Sequence, residues 1–120
     1  MVLVDTSVWI SHFRTGNAKL KNLLVKGEVS CHPFIIGELA CGHIKQRDKI
    51  LNLLHELPVV EMLDHDEVLY FIDQKQLMGK GLGLIDIHLL ASAVLSDIHL
   101  WTLDNKLKQA AVKLKVDYLS

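Results

Sequence analysis

Four acidic residues, Asp5, Glu38, Asp86 and Asp104, fall where an alternating strand–helix chain would bring its strand ends together. Asp5 ends the run Val-Leu-Val-Asp-Thr-Ser. Glu38 lies in Ile-Gly-Glu-Leu-Ala-Cys-Gly, Asp86 in Gly-Leu-Ile-Asp-Ile-His-Leu-Leu-Ala, and Asp104 follows Leu-Trp-Thr-Leu. Carboxylates gathered in one place repel one another and lose hydration, so such a cluster is costly unless cations or protons offset its charge. Hard oxygen ligands of this kind suit Mg²⁺ or Mn²⁺. The expectation is therefore a metal site. Its competitor treats an acid after a strand as a helix N-cap, and for Asp104, ahead of Asn105-Lys106-Leu107, that competitor is serious.

The elements that must position these acids follow from the apolar pattern. Residues 2–4 suit a strand buried on both faces, leading into helical turns around Val8, Trp9, Ile10 and Phe13. Gly16-Asn17 breaks the chain; Leu20, Leu23 and Leu24 recur at helical spacing until Gly27. Val29-Ser30-Cys31 is the second strand, and Pro33 opens the helix that carries Glu38. A helix through Ile50, Leu51, Leu53, Leu54 and Leu57 stops at Pro58, and residues 59–63 read as a third strand. Asp64 with Glu67 resembles a capping pair for a helix containing Val68, Leu69 and Ile72. Gly79, Gly81 and Gly83 form a joint before the helix of Asp86. Residues 98–103 give a fourth strand, 105–114 a last helix and 116–118 a short final strand. Strands alternating with helices imply a parallel sheet covered on both sides, whose ligands bind beyond the carboxyl ends of the strands. Asp5 and Asp104 occupy such ends.

At 120 residues, half of them hydrophobic, the chain fits one domain over 1–120 and argues against disorder. No apolar run approaches the ~18 residues needed to span a bilayer, and the start lacks a basic leader with a cleavage site; the expectation is a cytoplasmic protein with no membrane contact. Cys31 and Cys41 read as reduced, buried thiols, and a zinc site from Cys31-His32 with Cys41 and His43 lacks the usual spacing. A net charge of −1 does not advertise nucleic acid. The basic groups Arg14, Lys19 and Lys21, then Lys45, Arg47 and Lys49, then Lys106, Lys108, Lys113 and Lys115 read singly as solvated helix faces. Gly79-Lys80-Gly81-Leu82-Gly83 does not fit a phosphate loop, because glycine follows the lysine. Trp9 and Phe13 read as core.

Taken in order, Val-Leu-Val-Asp5-Thr6-Ser7, Glu38-Leu-Ala-x-Gly42, Asp86-x-x-x-Leu-Ala91 and Thr102-x-Asp104 resemble the motifs of PIN-domain nucleases, and within them of VapC-like toxins of toxin–antitoxin pairs. Each motif alone is loose; their order and spacing over nearly the whole chain are much more specific. The resemblance implies a three-layer α/β/α sandwich with a central, mostly parallel sheet, and an endoribonuclease that cleaves RNA with Mg²⁺ or Mn²⁺. It makes Asp5, Glu38, Asp86 and Asp104 the catalytic, metal-binding acids, with Ser7 and Thr102 as polar neighbours orienting carboxylates or water. Asp5 and Asp104 would be direct ligands; Glu38 or Asp86 would bind directly or through water and accept a proton. The resemblance also implies a small antitoxin protein lying across the site, and a homodimer. Where the family frequently places a basic residue after the threonine, this chain has Leu103, so a phosphate contact is either missing or supplied by Lys106. The alternative is a catalytically silent PIN-like binding or scaffolding module. A receiver-like signalling domain is disfavoured, since the acid pair it needs after the first strand is absent.

Overall fold

Val2–Val4 forms β1 with every side chain buried, as a short apolar strand requires when both faces of its sheet are covered. The computed structural model describes residues 1–118. Two strands flank β1 in parallel, β2 (Val29–Ser30) and β3 (His99–Trp101), with Val2 opposite Val29 and His99 and the order β2-β1-β3. Single parallel bridges extend the sheet at both edges, Cys31 to Val59 beyond β2 and Leu100 to Asp117 beyond β3.

The chain therefore steps outward from β1 through β2 to Val59, reverses across β1 to β3, and steps outward again to Asp117. Right-handed crossovers assign the helices before the reversal to one face: α1 (Thr6–Thr15), α2 (Ala18–Val25), α3 (Pro33–Ala40) and α4 (Arg47–His55). The other face receives α5 (His65–Lys75), α6 (Leu84–Ser96) and α7 (Asn105–Lys113). Packing agrees, because α1 meets α3 and α3 meets α4, while α5 meets α6 and α6 meets α7. This is the sheet covered on both sides that the alternating pattern implied, and the α/β/α sandwich that the resemblance implied. The strand order reverses at β1, and in open parallel sheets ligands bind beyond the carboxyl ends of the strands at such a reversal, here those of β1 and β3.

Several elements form for the reasons legible in their residues. Pro33 sits in the first turn of α3, while the His32 side chain caps it by accepting from the Phe34 amide. Asp64 and Glu67 make a reciprocal capping box at the start of α5. The most enclosed helix is α6, in which Ile87 to Ala93 are consecutively buried. It packs against β3 and against α5 and α7, and it carries Asp86 in its first turn.

Three expected strands are shorter than their apolar runs. Residues 59–63 contribute one bridge, because β2 is only two residues long and His32 already caps α3, leaving nothing for Glu61 to Leu63 to pair with. That segment docks instead on α6, where Ser92 Oγ donates to the Glu61 carbonyl at 2.8 Å. The fourth strand loses Ile98, whose amide closes the end of α6 on the Ala93 carbonyl, and loses Thr102 and Leu103 to the site described below. The final segment likewise makes one bridge, with Leu100 donating to the Val116 carbonyl and accepting from the Tyr118 amide. The cysteines also differ from expectation: Cys31 is buried, whereas Cys41 caps the end of α3 and is exposed.

Candidate functional site

Asp5 leaves β1 beside the end of β3, where its amide donates to the Trp101 carbonyl at 2.9 Å. Asp5 is only 7% exposed, and a single carboxylate oxygen, Oδ2, accepts both the Ser7 and the Thr102 hydroxyl at 2.7 Å. Since each hydroxyl spends its proton on Asp5, the 3.4 Å contact between Ser7 Oγ and Thr102 Oγ1 carries none. Each hydroxyl then accepts from the backbone: the Leu103 amide donates to Ser7 at 3.0 Å and the Asp104 amide to Thr102 at 3.1 Å. Two successive amides thus polarise two hydroxyls onto one carboxylate oxygen. The Leu103 side chain points to solvent, so position 103 serves this network through its backbone alone.

The other acids are tethered in the same manner. Asp104 Oδ1 accepts from the Lys106 amide at 2.9 Å, so the N-cap reading of this residue is correct for that oxygen. Asp86 Oδ2 accepts from the Gly83 amide at 3.1 Å, at the N-terminus of α6 where the helix dipole favours a negative charge. Glu38 Oε1 accepts from Thr6 Oγ1 at 2.8 Å, which ties α3 to the residue following Asp5. Every one of the four carboxylates has one oxygen held by the protein and a second with no protein donor among the described residues.

Asp5, Asp86 and Asp104 share one electrostatic neighbourhood. Burial raises the Asp86 carboxyl above its ordinary range; the Gly83 amide opposes this, and the charges of Asp5 and Asp104 add to it. Glu38 joins the group through Thr6 rather than by direct approach. Among the described residues no three His, Cys, Asp or Glu side chains converge closely enough to hold one ion by themselves. Such spacing fits a small hard cation that keeps several of its waters and takes only one or two carboxylates directly, as Mg²⁺ does. The donor set, all oxygen with unsatisfied lone pairs, suits the same ion.

Thr6 is the functional neighbour that sequence reasoning missed. The signal was its place inside Asp5-Thr6-Ser7, but only the fold shows that it reaches Glu38 from 32 residues away. A second surprise is the pairing of His32 and His88, whose ring centroids lie 6.2 Å apart with Phe34 edge-on to His88 at 4.8 Å. His32 Nδ1 accepts from the Phe34 amide, so its proton rests on Nε2, which has no partner among the described residues. Burial, then the neighbouring His88, pushes His32 down to about 4. This neutral contact sets the start of α3 against α6, the two helices that carry Glu38 and Asp86.

The family profile of the PIN domain matches residues 2–113. The chain belongs to the PIN-domain family. It is also 48% identical over 114 residues to Ribonuclease VapC32 of Mycobacterium tuberculosis, in both the CDC 1551 / Oshkosh and H37Rv strains; the alignment covers 94% of this chain and 92% of the relative. Among solved structures, PAE2754 from Pyrobaculum aerophilum superposes with a TM-score of 0.65 over 95% of this chain and 94% of that one, at 19% identity. That likeness concerns the fold. The PIN match spans all four tethered acids, from the end of β1 to the start of α7. Among the described residues no helix is long and apolar enough to cross a membrane.

Proposed function

We propose that this PIN-domain chain, a single domain over residues 1–120, is a metal-dependent endoribonuclease and the toxin of a toxin–antitoxin pair. The observation that carries the reading is that Asp5, Asp86 and Asp104 share one electrostatic neighbourhood beside the reversal of strand order. It occurs in a chain 48% identical to a VapC ribonuclease. Asp5 and Asp104, on their untethered oxygens, would hold Mg²⁺ or Mn²⁺; Glu38 and Asp86 would complete the shell directly or through water. When bound, the ion supplies positive charge to the phosphate oxygens and acidifies a water.

The chain's own residues do the rest. Ser7 and Thr102 fix the Asp5 carboxylate through one oxygen, leaving the other without a protein donor and already ordered. Thr6 does the same for Glu38, and the Gly83 amide for Asp86. Glu38 or Asp86 accepts the proton of the attacking water, and burial, with the charges of Asp5 and Asp104, raises the affinity of Asp86 for a proton.

The antitoxin in this reading lies beside the site, and one groove supports that placement. A groove of about 560 Å³ between α1 and the α3–α4 region has an apolar floor of Ile10, Phe13, Leu39, Ile44 and Ile50, with Glu38 at one rim. Arg14 and Lys45 add cations for a segment that is apolar on one side and acidic on the other. The chain works in the cytoplasm, as a homodimer, on RNA. A second reading, a silent PIN-like binding or scaffolding module, is favoured by the failure of any three acids to converge on one point. Cleavage of RNA by the purified, antitoxin-free chain in Mg²⁺, Mn²⁺ or EDTA, with Asp5→Asn in parallel, separates the two. Metal-dependent cleavage lost in Asp5→Asn supports the nuclease, and equal cleavage by that variant sinks the site assignment.

A further inference from the structure

We propose that Lys106 is a substrate-binding residue, holding a phosphate of the RNA strand next to the one at the acids; this rests on the nuclease reading above. Lys106 lies two residues beyond Asp104, in the first turn of α7, and its backbone amide is already committed to the Asp104 carboxylate. Its side chain makes no ion pair with that carboxylate and lies along Gly81, in the glycine joint that leads to α6. A Cβ built on Gly81 would stand 2.9 Å from Lys106 Nζ and 3.0 Å from Cδ. Gly81 has φ +75°, a conformation that L side chains rarely adopt, so both backbone and space at this position call for glycine. The seat for the lysine is the missing side chain.

Among the described residues the sole ion pair joins Arg47 to Asp48. Lys106 is therefore a cation at the edge of an acidic crevice that neutralises none of its acids within ion-pair distance. Single-stranded RNA carries a negative charge at each nucleotide. A metal offsets the phosphate at the acids, but the adjoining phosphates meet the same carboxylates with no counter-charge. An ammonium seated between the start of α7 and the joint before α6 supplies it as a point charge. The exposed, leucine-bearing position 103 supplies none.

The test is binding of a fluorescein-labelled single-stranded RNA by anisotropy over a series of KCl concentrations in Mg²⁺, with cleavage followed on the same samples. Lys106→Gln is expected to weaken binding roughly tenfold and to flatten the plot of log affinity against log salt by about 0.7, the value of one phosphate contact on a single strand. Lys106→Arg retains the slope. Lys26→Gln, at the amino end of the sheet before β2, is the control for loss of one surface charge and leaves the slope unchanged. An unchanged slope in Lys106→Gln overturns the proposal even where cleavage is intact. Binding without cleavage by the wild-type chain would refute the nuclease reading while the slope still decides the role of Lys106, and no RNA binding at all would overturn both.

Discussion

Replacing Thr102 by Val removes a hydroxyl and little else, since the two side chains have nearly the same shape. Thr102 is buried, its Oγ1 donates to ionised Asp5 at 2.7 Å, and it accepts the Asp104 amide at 3.1 Å. A hydrogen bond to a charged group contributes about 2 kcal/mol net, and a partly buried amide left without its acceptor costs about 1 kcal/mol more. Asp5 keeps the Ser7 hydroxyl, which limits the damage, so the expected loss is between about 2 and 3 kcal/mol. For a domain of this size that lowers Tm by roughly 10 °C. Urea and thermal unfolding of Thr102→Val, Ser7→Ala and the double variant measure it as a cycle. Both hydroxyls meet on one oxygen, so the second deletion should cost more than the same deletion in the wild type, by about 1 kcal/mol. A Thr102→Val protein within about 0.5 kcal/mol of wild type, or a strictly additive cycle, would refute the account of the two hydroxyls as a shared clamp.

Asp86→Asn should raise Tm at neutral pH in EDTA. The folded-state pKa of Asp86 lies above the ordinary carboxyl value of 3.8, so ionising it opposes folding and stability falls as pH rises through the raised pKa. The gain from the substitution should accordingly fade as pH drops below the ordinary carboxyl range; a gain independent of pH would contradict this. His32 has the opposite sense: held neutral down to about 4 against 6.5 for the free side chain, it costs stability as pH falls through that window. His32→Asn, which retains a cap acceptor for the Phe34 amide, should flatten the stability profile between those limits, and an unaltered profile would count against it. Iodoacetamide should add one group to the native protein, at exposed Cys41, because Cys31 is buried and its thiol is pushed up to about 11. Mass spectrometry showing Cys31 modified without unfolding would reverse that assignment.

Much of the fold could be read in advance because local chemistry and global architecture agree in this chain. The burial of β1, the Pro33 start of α3 and the Asp64–Glu67 box all appeared where their residues implied them. The strands at residues 59–63 and 116–118 did not develop, because an apolar run states willingness to pair but says nothing about the length of the neighbour; β2 ends after two residues. At the candidate site, motif and position singled out the four acids as expectations, and Ser7 and Thr102, expected as polar neighbours, bond Asp5. What the sequence withheld was contact across distance: Thr6 on Glu38, His32 beside His88, and Lys106 laid over Gly81. Each joins elements far apart in the chain, and no local periodicity encodes such a meeting.

The tethering of one oxygen on each acid governs how a carboxamide in its place would sit. In Asp5→Asn the tethered position accepts from two hydroxyls, and only the amide oxygen can fill it. The NH₂ group is then forced into the direction of the formerly free oxygen. The same holds for Asp86→Asn against the Gly83 amide and for Asp104→Asn against the Lys106 amide, since a backbone N–H can only donate. A carboxamide here is therefore no mere neutral copy of the acid. It keeps the scaffold's hydrogen bonds while presenting donors where a cation would need acceptors, so its polarity is inverted toward the crevice and unchanged toward the fold.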